Sequence, residues 1–150
     1  MNTFNTNTPI NKLTGYIDKF ETSNPIILCK ELDIPILESD LGNLFGYAIE
    51  NYGVYVIGVN NKLSEHERIF TIAHELGHII AEHDFNVLAL RKNTMLITDK
   101  YEIEANNLAV HMLLKYYDVE LENKTITQIS SLTGIKEDIL NTYFDTVKYF

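Results

Sequence analysis

The sequence predicts an α+β fold, and three observations predict it. The stretch "IPILESDLGNLFGYAIENYGVYVIGVN", residues 34–60, is dense in Ile, Val and Tyr and broken by Gly and Asn, the texture of short strands. On either side of it, apolar residues recur at helical spacing. The chain has 150 residues, of which 45% are hydrophobic, enough for one domain with a buried core.

Taken in order, residues 1–8, "MNTFNTNT", are polar and uncharged and read as a disordered tail, with neither the basic start nor the apolar run of a secretory signal. In "INKLTGYIDKF", Ile10, Leu13, Tyr16, Ile17 and Phe20 fall at helical intervals. A second helix opens at "SNPIILCKEL", with Asn24 as cap and Pro25 at the first helical position, where its missing N–H costs nothing. Residues 34–60 form two or three antiparallel strands with a hairpin at "ENYG". The next helix starts at Ser64, where "SEHE" has the spacing of a capping box, and runs to about His83. Residues 84–98 read as a loop or irregular strand, followed by a helix from about Asp99 through "YEIEANNLAVHMLLKYY". After an acidic linker, two short helices, "TITQISSL" and "KEDILNTYFDTV", meet at Thr133 and Gly134. The domain is read as 9–117, with 118–150 a helical extension packed on it.

Composition excludes several functions. The formal net charge is −9 and the two arginines are Arg68 and Arg91, so the chain lacks the basic surface that holds phosphates. The last two helices resemble a helix-turn-helix, but from Asp118 onward three lysines face six acidic residues and no arginine is present to read a guanine edge. No apolar run reaches the length of a bilayer crossing, so neither nucleic acid nor membrane is expected as a partner. The single cysteine, Cys29, lies among apolar neighbours and suits a buried thiol in a reducing, cytoplasmic setting.

The chemistry concentrates in "TIAHELGHIIAEH", residues 71–83. On a helix, residues four apart lie about 40° apart around the axis and one turn along it, so His74 and His78 aim at one point. Glu75, about 100° round, can flank a metal-bound water without being a ligand. A helical wheel sets both histidines on a polar face opposite Ile69, Ile72, Ala73, Leu76, Ile79 and Ile80, so a merely solvated face is the competing explanation. Gly77 weighs against it: glycine within a helix costs about 1 kcal/mol relative to alanine, which implies another backbone packed against the turn between the histidines.

A catalytic zinc needs a third protein ligand and an open position. In the later helix, Glu102 and Asn106 sit mid-way across an apolar arc, while Glu104, Asn107, His111 and Lys115 gather on the opposite side, with Glu104 pointing to water. A carboxylate within apolar surroundings calls for a cation or a strong donor. The competing explanation is that Glu102 only completes a cap begun at Asp99. The preferred assignment is Zn2+ held by His74, His78 and Glu102, with Asn106 orienting a ligating histidine, Glu75 catalytic and Glu104 the alternative ligand.

The segments "NPIILCKELDIPI", "GVYVIGVNNKLSEHERIFTIAHELGHIIAEH" and "YEIEANNLAVHMLL", most of residues 24–114, resemble the ImmA/IrrE-type metallopeptidases of bacteria, phages and integrative elements. The resemblance implies a zincin-like domain whose small antiparallel sheet packs on the His-Glu-x-x-His helix. It implies zinc ligation by His74, His78 and Glu102 and a catalytic Glu75. It further implies a cytosolic endopeptidase acting as anti-repressor, cleaving a helix-turn-helix repressor of a phage or mobile element. Where the family often has methionine and proline after its second motif, this chain has "LLKYYD". A zinc-binding regulatory module that works by protein contact without proteolysis is the alternative. By position in the chain alone, His83, Tyr47, Tyr52 and Tyr55 are the candidates to stabilise an oxyanion, and the sequence singles out none of them.

Overall fold

Capping side chains start the first two helices. In α1 (Pro9–Phe20), Thr8 accepts from the Asn11 N–H at 3.2 Å, and in α2 (Pro25–Glu31), Asn24 accepts from the Ile26 N–H at 2.9 Å. The computed structural model describes residues 7–85 and 95–147, the side chains of 95–99 excepted. Residues 1–6 of the expected tail, and 86–94 of the expected loop, lie outside the described residues.

Three strands follow, β1 (Ile36–Ser39), β2 (Gly46–Asn51) and β3 (Val54–Asn60), in the order β1-β3-β2. β2 and β3 form the expected antiparallel hairpin: Asn51 pairs with Val54, and Tyr52 and Gly53 between them both take positive φ, 51° and 78°, the two-residue turn that follows the strand twist. β1, however, pairs parallel with β3, so the sheet is mixed and not wholly antiparallel. The reason is burial. β3 is the most apolar strand, and from Ile57 to Asn60 it is buried, whereas β1 past Ile36 and β2 past Ile49 are exposed. The strand with most to bury takes the centre. Asn60 then ties down the connection from β1 to β2, its Nδ2 donating to the carbonyls of Gly42 and Leu44 at 2.9 Å each.

α3 (Glu65–Ile80) begins with the expected capping box: Ser64 Oγ accepts from the Glu67 N–H at 3.3 Å and Glu67 accepts from the Ser64 N–H at 3.1 Å. It ends at Ile80, three residues before His83, because Glu82 adopts a left-handed φ of 56° and turns the chain back. α4 (Met95–Tyr116) starts before Asp99, so Asp99 lies within the helix and Glu102 is not at a cap. The capping explanation for Glu102 therefore falls. α5 (Ile126–Thr133) and α6 (Glu137–Val147) are the last elements among the described residues.

Ile72 and Leu76 of α3, Leu108, Met112 and Leu113 of α4, and Ile57 and Val59 of β3 are essentially inaccessible and share one core. The sheet lies on one side of α3 and α4 on the other. α6 closes over α4: Asn107 Nδ2 donates to Thr146 Oγ1 at 3.5 Å, and His111 Nδ1 lies 3.1 Å from Tyr143 Oη. The α4 face opposite the apolar arc is in this part covered by α6, whose hydroxyls meet Asn107 Nδ2 and His111 Nδ1 while Asn107 Oδ1 stays buried with no partner among the described residues.

Candidate metal centre

Two glycines let the layers approach α3 closely. A Cβ on Gly77 would stand 2.9 Å from the Ala105 carbonyl oxygen and 3.2 Å from its Cα, so the backbone of α4 occupies the space a side chain would need. Ala105 is thus the neighbour that Gly77 implies. On the sheet side, a Cβ on Gly46 would come within 2.5 Å of Thr71 Cγ2, 2.7 Å of the Gly58 carbonyl and 3.7 Å of Glu75 Cγ, which seats the start of β2 over the turn of α3 from Thr71 to Glu75.

Because α4 crosses at Gly77, Glu102, one turn before Ala105, faces the two histidines. His74 Nε2 lies 3.0 Å from Glu102 Oε2, His78 Nε2 lies 3.0 Å from Glu102 Oε1, and the two Nε2 atoms are 3.1 Å apart. Three ligand atoms of His74, His78 and Glu102 therefore converge on one point. In a tetrahedral zinc site with arms near 2.0 Å, ligand atoms sit about 3.3 Å from one another, close to the separation of the two Nε2 atoms and of each from its own Glu102 oxygen.

The donor set agrees with a cation. Asn106, one turn after Glu102, presents Oδ1 2.7 Å from His74 Nδ1; that nitrogen donates, and Nε2 is left with its lone pair toward the centre. Lone pairs of two imidazoles and a carboxylate that point at one another repel unless a proton or a metal lies between them. The His78 side chain is wholly buried, whereas those of His74 and Glu102 keep 14% and 30% of their exposure, so among the described residues the centre is exposed on the side of His74 and Glu102. That open side is where water and a substrate can enter.

Electrostatics follow from the same packing. Burial disfavours a charged His74, but the Glu102 carboxylate, with Glu75 and Asn106, holds its pKa above the ordinary value. For His78, burial prevails over the help of Glu102 and the pKa falls. Burial would raise the Glu102 pKa, yet its bonds to both histidines hold it far below the usual carboxylate range. Glu75 is buried on α3, with its charge acting on His74.

Glu104 is neither a ligand at the convergence nor simply turned to water. Its Oε1 is 2.7 Å from His83 Nε2. His83 is buried, with Nδ1 2.8 Å from His78 Nδ1, on the far side of that ring from the centre. This pair of contacts was not legible in the sequence, since it depends on the turn at Glu82. Of the tyrosines considered as oxyanion partners, Tyr52 stands exposed at the hairpin tip, the Tyr47 ring lies over Gly58 and the Tyr55 ring packs on Phe85.

Residues 29–142 match the IrrE N-terminal-like domain of the peptidase M78 family. The chain belongs to that peptidase family. It is also similar, at 30% identity over 128 residues, to immunity region protein 2 of Bacillus phage phi105, a match covering 82% of this chain and 80% of the phage protein. The metallopeptidase ImmA of Bacillus subtilis (strain 168) is 30% identical over 105 residues, which are 69% of this chain and 61% of ImmA. The family match extends through α5 and into α6. Among the described residues no helix is long and apolar enough to cross a membrane.

Proposed function

We propose that this chain is a zinc-dependent endopeptidase of the cytoplasm, an anti-repressor that cleaves a helix-turn-helix transcriptional repressor of a phage or mobile element. The observation that carries the catalytic part is the convergence of His74, His78 and Glu102 beside a buried Glu75. The regulatory part is supported by the likeness to a phage immunity-region protein and to ImmA. In this reading residues 9–117 are the peptidase domain and 118–150 an extension packed on it.

His74, His78 and Glu102 would hold the metal, and Asn106 keeps His74 in the tautomer that ligates. Zinc there would supply Lewis acidity, which eases deprotonation of water near neutral pH and polarises a peptide carbonyl. Glu75 takes the proton of the attacking water and returns it to the leaving amine. β2 above Glu75 and α4 below the histidines exclude solvent on both flanks, so the proton passes between fixed partners.

Glu75→Gln tests this. The variant should keep stoichiometric zinc and lose cleavage of a co-purified repressor by roughly 100-fold or more, the usual scale for a missing general base. Normal cleavage by the variant would remove Glu75 from the mechanism, and a wild-type protein that binds zinc yet leaves the repressor intact would favour action by contact alone.

A further inference from the structure

The end of α3 is built to place one more histidine. His83 N–H donates to the His78 carbonyl at 3.1 Å and Glu82 N–H to the Ile79 carbonyl at 3.0 Å, the paired bonds of a Schellman turn. Such a turn prefers glycine at the left-handed position, yet here Glu82 holds it at φ 56°. The Glu82 carboxylate accepts from Lys12 Nζ of α1 at 2.9 Å, an anchor that a glycine could not supply. The consequence is that His83 folds back beneath His78, with its ring stacked on Tyr101 at 4.3 Å between centroids.

With one proton on each imidazole, the hydrogen bonds along this line admit one arrangement. A carboxylate only accepts, so His83 Nε2, 2.7 Å from Glu104 Oε1, carries the proton. With its single proton there, the His83 ring offers a lone pair at Nδ1. The facing nitrogen, His78 Nδ1 at 2.8 Å, must donate. His78 is thereby left with its lone pair on Nε2, the atom that points at His74 and Glu102. Were the end of the line to donate instead of accept, every tautomer along it would reverse and His78 Nε2 would carry a hydrogen toward the metal position.

We propose that Glu104 and His83 are positioning residues for the metal centre: the Glu104 carboxylate, acting through His83, selects the His78 tautomer that can bind zinc. The two histidine ligands thus have different supports, a side-chain amide one turn along α4 for His74 and an imidazole–carboxylate pair for His78. Outer partners of this kind commonly change metal affinity by about 10- to 100-fold. The inference rests on the zinc site proposed above, and the test separates the two.

Zinc dissociation constants are measured by chelator competition for the wild-type protein, Glu104→Ala and Glu104→Gln, with thermal unfolding of the metal-free forms alongside. Glu104 is half-exposed, so neither change should prevent folding. Glu104→Ala should weaken zinc by about 10- to 100-fold with little change in metal-free melting. Glu104→Gln, which retains an accepting oxygen, should recover part of that loss. In the metal-free protein, 15N spectra of the histidine rings should show hydrogen on His78 Nδ1 in the wild type and a mixture of tautomers in Glu104→Ala. Unchanged affinity in Glu104→Ala, or lost affinity that merely tracks lost stability with His78 unaltered, would overturn the relay. Failure of the wild-type protein to bind zinc would instead overturn the site itself.

Discussion

Two histidine-glycine junctions sit on the same helix, one at each end of α3, and only one of them can do chemistry. Near the C-terminal end, Gly77 admits the backbone of Ala105, and His74 and His78 meet the Glu102 carboxylate. At the N-terminal end, Gly134, at φ 71°, brings the turn between α5 and α6 against His66: a Cβ there would lie 2.6 Å from His66 Cβ. His66 Nδ1 lies 2.9 Å from the Thr133 carbonyl and 3.1 Å from Tyr117 Oη. Close approach is common to both junctions. The partners differ: at His66 a backbone carbonyl and a phenol both meet Nδ1 of an exposed ring, whereas a second imidazole and a carboxylate leave electron pairs that a cation can use. The turn that resembles a helix-turn-helix is accordingly spent on packing the extension to α3.

The comparison can be broken most sharply by alanine at each histidine. His78→Ala should abolish stoichiometric zinc in metal analysis of the purified protein, since one of the three proposed metal ligands is lost. His66→Ala should leave zinc untouched and cost about 1 kcal/mol in denaturant unfolding, the scale of one hydrogen bond. Equal zinc content in both variants would erase the distinction.

The glycines sharpen it further. Gly77→Ala gains about 1 kcal/mol of helix propensity, which offsets the strain of pushing α4 back, so metal-free stability should change little. Zinc affinity should nevertheless fall on the order of 10-fold, because ligand geometry tolerates only about 0.5 Å of displacement. Gly134→Ala should do the reverse: a left-handed φ and a collision with His66 cost more than about 1 kcal/mol, while zinc is retained. Chelator competition and urea titration on both variants give the four values needed.

Acid should act on the first junction in a defined order. Zinc requires unprotonated imidazoles. The pKa of His74 is held above the ordinary value and that of His78 below it, so as pH falls His74 takes a proton first and His78 later. Zinc affinity should be flat at alkaline pH, fall with a slope of one proton as pH drops through the raised His74 value, and steepen toward two in stronger acid. In the metal-free protein the sign is opposite for His74: the stability of its pair with Glu102 is complete below the unfolded imidazole pKa of about 6.5 and is lost as pH rises through the folded value. A two-proton slope from the outset would contradict the unequal environments of the two rings.

The smallest effect belongs to Cys29, buried in the core on α2. Burial pushes its thiol pKa up to about 12, so the native protein should resist a thiolate-specific reagent at pH 8 and react only after unfolding. Its contribution to stability is full below about 8.5 and declines as pH rises toward 12, because only the unfolded chain can ionise the thiol there. Rapid labelling of the folded protein would show that this part of the core opens.

What the sequence determined by itself is local. Helical periodicity places His74 and His78 on one face, "SEHE" marks the start of their helix, Asn106 shares the arc of Glu102, and Gly77 announces a backbone neighbour without naming it. Only the tertiary structure decided that the neighbour is Ala105, that α4 begins early enough to free Glu102 from a capping role, that β3 and not β2 takes the centre of the sheet, and that Asn107 and His111 face α6 instead of water. It also decided the line from Glu104 through His83 to His78, which a wheel cannot foresee: the helix ends at Ile80, and past a left-handed residue the side-chain directions no longer follow the 3.6-residue period. Periodicity is a property of one segment, whereas the partner of a polar atom depends on which segments the core has room to bring together.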